Sequence, residues 1–133
     1  MVIHMAARIN EQQFEEKVLK ADKPVLVDFY SDTCIPCKRM AGVLGEIEDD
    51  YDGKLDVFKI NVNYEQGLAG KYEVMSAPTL IYFINGEQQW RLTGVVKREE
   101  ITKLVTDIWC ITWNVLRGAQ YLGHHEIKEI YNF

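Results

Sequence analysis

Residues 25–30, VLVDFY, form a dense apolar run with β-branched and aromatic members, opened by Pro24. Such a run has almost no polar face to turn to water. It predicts a central strand with helices on either side. The segments around it agree. Asn10, Gln13, Phe14, Val18 and Leu19 have the pattern of a capped amphipathic helix, and Pro24 ends it. From Pro36 to Tyr51 the apolar residues Met40, Val43, Leu44 and Ile47 recur at three- and four-residue steps, until Asp52-Gly53 stops the helix. LDVFKINV, residues 55–62, is a second strand, with Phe58, Ile60 and Val62 on one face and Leu55, Val57 and Lys59 on the other. Residues 64–73 form a short helix weakened by Gly67 and Gly70. TLIYFI, residues 79–84, is a strand that Asn85-Gly86 turns back into another at 88–92, broken at Gly94. A helix starts near Lys97, with Ile101, Leu104, Val105 and Ile108 on one stripe. The alternation predicts parallel strands and the hairpin an antiparallel pair. Together they give an α/β fold with a mixed sheet covered on both faces.

The chain has 133 residues, which suits one core, and 47% of them are hydrophobic, which argues against disorder. A net charge of −5 argues against a nucleic-acid grip, which needs a basic face. No apolar run approaches a membrane span, and MVIHMAARIN lacks the apolar segment of a secretion signal. His4-Met5 before Ala6 fits a cloning remnant. Three cysteines do not make a disulfide-stapled scaffold, so a reducing, cytoplasmic compartment is expected.

Cys34 and Cys37 lie three residues apart at the strand-to-helix junction, on one face if the helix begins there. Pro36 suits that beginning, because a first turn has no use for its missing N–H. The helix N-terminus then favours a thiolate at Cys34. Cys34 is the expected nucleophile and Cys37 the resolving thiol. A metal clip would need two more ligands, and there is no second CxxC; His4, His124 and His125 stand at the chain ends. Two merely buried cysteines would leave the proline between them without a reason. Asp28 is an acid inside the apolar strand. It either faces a solvated edge or is buried with a raised pKa, fit to act as a base behind Cys37.

VLVDFYSDTCIPCK together with SAPTL at residues 76–80 resembles the thioredoxin family, and the resemblance runs from about residue 5 to 109. It implies the thioredoxin fold, a central mixed sheet flanked by helices, and dithiol–disulfide exchange with protein substrates. It assigns the general base to Asp28 and a neighbouring cation to Lys59. It implies a cis Pro78 packed against the cysteine pair, an Ala77 backbone that pairs with a substrate strand, and a Gly94 that lets substrate backbone approach. Three positions depart from the family pattern: Thr33 replaces a tryptophan, Ile35-Pro36 replaces Gly-Pro, and Gly42 replaces a helix-kinking proline. Ile35, Pro36 and Met75 then supply apolar surface beside the thiols, and altered partner choice is expected.

The expected domains are a thioredoxin-like domain, 1–109, and a C-terminal helical extension, 110–133, packed on it. Trp109, Ile111, Trp113, Val115 and Leu116 continue a helical pattern, Gly118 and Gly123 permit a turn, and 125–131 suits a last short helix. The alternative fate of the tail is a partner chain or a dimer contact. Cys110 is expected to be buried and inert. The expected function is a protein-disulfide reductase with no metal or organic cofactor, since no GxGxxG follows a strand. Its partners are disulfide-containing proteins and a separate thioredoxin-reductase-like electron donor, with no nucleic acid and no membrane. The rivals are a disulfide oxidase or isomerase, and a binding module that works through the tail.

Overall fold

The computed structural model describes residues 6–116, and the side-chain surroundings of residues 6–107. Five strands make one mixed sheet: β1 (Ala7–Arg8), β2 (Val25–Tyr30), β3 (Asp56–Asn61), β4 (Thr79–Ile84) and β5 (Glu87–Thr93). Their spatial order is β1-β3-β2-β4-β5. β2 lies in the middle, parallel to β3 and antiparallel to β4, with Asp28 opposite both Lys59 and Leu80. All six residues of β2 are buried, as its composition requires.

Alternation along β2 divides the core. Val25, Val27 and Phe29 join Ile60, Ile81 and Phe83 on one face. The first helix covers that face with Phe14 and Val18, and the third helix covers it with Leu68. Phe14, Tyr72 and Phe83 form a mutually tilted aromatic trio with centroids 5.5–5.7 Å apart. Leu26, Asp28, Leu80 and Tyr82 point the other way and are buried too. The helix α2 (Ile35–Asp50) buries Cys37, Met40, Leu44 and Ile47, and none of these belongs to the first face's cluster. Met40, Leu44 and Ile47, at most 1% exposed, each contribute about 1.5–3 kcal/mol by leaving water.

The first helix starts as expected. Asn10 accepts from the Gln13 N–H at 2.8 Å, and the Gln13 side chain accepts from the Asn10 N–H at 3.0 Å. Only α1 (Glu11–Phe14) is α-helical. It continues as a π-helical segment, Glu15–Leu19, in which the Lys20 N–H reaches the Glu15 carbonyl. The helix expected over 64–73 contracts to α3 (Gln66–Lys71). The hairpin forms at Asn85-Gly86, where both residues take positive φ, 53° and 79°. β1 is an addition to the sequence-based scheme. Two residues are too few to show a period, and Ala7 and Arg8 join the sheet through pairing with Phe58 and Lys59.

The chain divides into two compact units, Met1–Val96 and Lys97–Phe133. The sheet and α1–α3 belong to the first. In the second, α4 (Arg98–Leu116) runs unbroken across residue 109, with Ile101 and Val105 buried. The expected turn at Gly118 and Gly123, the helix at 125–131 and the side chains of Trp109, Cys110 and Trp113 lie outside the described residues, as does His4-Met5.

Candidate functional site

β2 ends at Tyr30, and Ser31–Thr33 carries the chain to Cys34, the N-cap of α2. Its extended backbone, φ −87° and ψ 109°, leaves the side chain in the usual place of a capping oxygen. The sulfur takes that role: the Cys37 N–H points to Cys34 Sγ at 3.1 Å. A donor so placed stabilises negative charge on Cys34 once the pair is reduced. Pro36 sits in the first turn, where no hydrogen bond is lost. Cys34 and Cys37 are joined in a disulfide with Cα atoms 5.2 Å apart. Their exposures differ: Cys34 is partly open and Cys37 only 6% exposed.

Other elements converge on this disulfide. The Ala77–Pro78 peptide is cis, and the Ala77 carbonyl oxygen lies 3.4 Å from Cys34 Sγ. Pro78 is buried, and its carbonyl accepts the Gly94 N–H at 2.8 Å, which ties the end of β5 to the same place. Gly94 has φ +86°, a left-handed conformation, and a Cβ there would meet nothing within 4 Å. Ile35 and Met75 are 66% and 91% exposed, so large apolar side chains stand in water beside the cysteine pair and in the Ala77 loop. Val95, next to Gly94, is exposed as well; its signal was an apolar residue directly after the turn glycine.

Asp28, 4% exposed, lies on the sheet face away from Val27 and Phe29. Its Oδ1 has no hydrogen-bond partner. Burial pushes the carboxyl up from the ordinary 3.8 to about 7, and the positive charge of Lys59 opposes that rise. Lys59, the register partner of Asp28, also holds its Nζ 5.4 Å from the Tyr30 ring centroid. The Arg8 guanidinium lies 5.6 Å from the same centroid. This cationic setting of Tyr30 depends on side-chain directions in three strands, and no sequence motif announces it.

Met75 and Ala77 belong to a loop that leaves α3 through Glu73, whose φ is +53°. From β5, Arg91 donates through Nη1 to the Glu73 carbonyl at 3.1 Å and through Nη2 to the Tyr72 carbonyl. Among the described residues, no group of three or more His, Cys, Asp or Glu is placed to hold a metal ion, and no helix is long and apolar enough to cross a membrane.

The candidate site residues read from the sequence thus fall in the first unit: Cys34, Ile35, Pro36, Met75, Ala77, Pro78 and Gly94 in the segments that carry the disulfide or are tied to it, Asp28 and Lys59 in register across β2 and β3. The arrangement is a redox couple with one accessible sulfur, one protected sulfur and a buried acid. Known proteins are similar to the chain in sequence. The thioredoxin family model matches residues 5–107. A thioredoxin of Rickettsia bellii is 35% identical over 103 residues, 77% of this chain and 98% of that protein. A thioredoxin of Pseudomonas aeruginosa is 41% identical over 93 residues, 70% of this chain and 86% of that one. A chloroplastic M-type thioredoxin of Spinacia oleracea is 37% identical over 94 residues, 71% of this chain and 52% of its own length. With a matched model across most of its length, and a disulfide where that family exchanges electrons, the chain belongs to the thioredoxin family and is a thiol–disulfide oxidoreductase.

Proposed function

We propose that Cys34 is the attacking thiolate in reduction of protein disulfides, Cys37 the resolving thiol and Asp28 its base. The observation that carries this reading is the asymmetry of the pair: an accessible, N–H-stabilised Cys34 against a 6% exposed Cys37. In the reduced protein Cys34 attacks one sulfur of a substrate disulfide. A mixed disulfide forms, and the first substrate thiolate leaves and takes a proton. Asp28 then accepts the Cys37 proton, and the Cys37 thiolate attacks Cys34 Sγ. The Cys34–Cys37 disulfide forms and the second substrate sulfur departs, protonated by way of Asp28. Two electrons pass from the pair to the substrate, and a reductase-type donor returns them. An acid that titrates near 7 suits this shuttle, because both its forms are populated near neutral pH.

Lys59 keeps part of the Asp28 population ionised. Substrate chain is received at the Ala77 backbone as an added strand, with Gly94 open to its approach and Ile35, Pro36 and Met75 as apolar contacts. With Thr33 in place of an aromatic residue, Ile35 and Met75 carry most of the selectivity. The cycle needs no metal or organic cofactor. It needs a compartment that returns the pair to dithiols, as the cytoplasm does. A role for residues 110–133 in dimerisation or partner binding is separate from this chemistry.

The test is a trap. Cys37→Ser should accumulate a mixed disulfide between Cys34 and a protein substrate, and Cys34→Ser should accumulate none. A reversed pattern overturns the assignment. The couple's reduction potential, set against a defined thiol buffer, is expected at about −270 mV, whereas about −180 to −120 mV would make the chain an oxidase or isomerase.

A further inference from the structure

We propose that Arg91 is a positioning residue for substrate binding: its guanidinium sets the path of the loop, residues 72–78, that receives the substrate chain. This rests on the docking reading above. The end of α3 explains why the loop needs such a part. The Val74 N–H donates to the Ala69 carbonyl at 2.8 Å and the Glu73 N–H to the Gly70 carbonyl at 3.2 Å. This pair of bonds is a Schellman motif, and it puts Glu73 at the position where helices most often use glycine. Glu73 takes the required left-handed conformation, φ +53°, although it carries a Cβ. A turn of this kind persists only where its surroundings hold it.

Arg91 is what holds it. The motif leaves the Tyr72 and Glu73 carbonyls unused, and Arg91 donates to both with two arms of one planar group. Arg91 is itself fixed on β5, opposite Ile81 of β4, so the guanidinium projects from the sheet rather than from another loop. The far end of the loop is fixed by the Thr79 hydroxyl, which donates to the Ser76 carbonyl at 2.7 Å, and by the Gly94 N–H on the Pro78 carbonyl. Between these ends the loop carries exposed Met75 and sets the Ala77 carbonyl 3.4 Å from Cys34 Sγ. Loss of Arg91 frees the Glu73 end, and a substrate strand then has to order the loop as it binds. That cost falls on binding, not on the sulfur exchange.

The experiment follows initial rates with a protein disulfide as substrate and an excess of a small dithiol as electron source. In Arg91→Ala the KM for the protein disulfide rises about fivefold or more while kcat stays within about twofold. Arg91→Lys, which keeps the charge but not the fork, falls between the two. A purely stabilising role would lower the active fraction, and so the apparent kcat, at unchanged KM; that result overturns the inference. If Arg91→Ala does not fold, the same KM-against-kcat split is read from Arg91→Lys and Arg91→Gln, with amide exchange at residues 73–77 as the second readout. Unchanged KM in both Met75→Asp and the Arg91 variants overturns the docking reading and this inference together. A raised KM in Met75→Asp alone overturns this inference and leaves the docking reading standing.

Discussion

Asp28 is the residue where stability and the proposed chemistry meet. Its carboxyl titrates at about 7 in the folded chain and near 3.8 when exposed. Between those values the folded form holds a proton that the unfolded form has released, so stability falls as pH rises through the window from about 4 to about 7 and is level above it. At about 1.4 kcal/mol per unit the full difference is on the order of 4 kcal/mol. Asp28→Asn should therefore match the parent at pH 4 and exceed it by several kcal/mol at pH 8, in urea denaturation of the oxidised protein. A difference independent of pH would refute the burial account. The same substitution should slow resolution of the mixed disulfide by about a hundredfold or more. Lys59 works against burial, so Lys59→Met should move the pH midpoint of resolution upward. The acid was legible in the sequence only in part: a carboxylate inside VLVDFY left a solvated edge or burial open, and the family resemblance favoured the buried base. The balance that sets its pKa was not, since it depends on which side chains close over it.

At the level of elements, two glycines make opposite predictions. Gly42 lies in the interior of α2, and an added Cβ would meet nothing within 4 Å. Gly42→Ala should stabilise the protein by about 0.5–1 kcal/mol, through helix propensity alone. Gly86 has φ +79°, and a Cβ there would sit 2.6 Å from the Leu19 carbonyl oxygen. Gly86→Ala should cost about 2 kcal/mol or more, from the backbone conformation and the clash together. Thermal unfolding of the two variants checks both signs. The hairpin was readable because Asn-Gly encodes its turn in two adjacent residues. The π-helical segment was not: Phe14 and Val18 face the core whether Lys20 donates to Glu15 or one residue later, so the apolar pattern is silent on the choice.

For the molecule as a whole, the strand order puts β2 between β3 and β4, with every residue buried. Its amides should exchange with solvent only through global unfolding, while those of the two-residue edge strand β1 exchange through local opening. Hydrogen exchange that protects β1 as strongly as β2 would contradict this. Family and central chemistry were legible because Cys34, Pro36, Cys37 and Pro78 lie in contiguous stretches with a local mechanism. Arg91 was invisible at that level: its acceptors, the carbonyls of Tyr72 and Glu73, belong to backbone 18 and 19 residues away. The hairpin tip has a further consequence, for engineering. Because Gly86 rests on the backbone of Leu19, the Asn85-Gly86 turn is a poor place to graft a peptide or a tag, even though it reads as an ordinary surface loop. Gly53, at the exposed end of α2, has open space around it, and foreign sequence should be accepted there with the sheet intact.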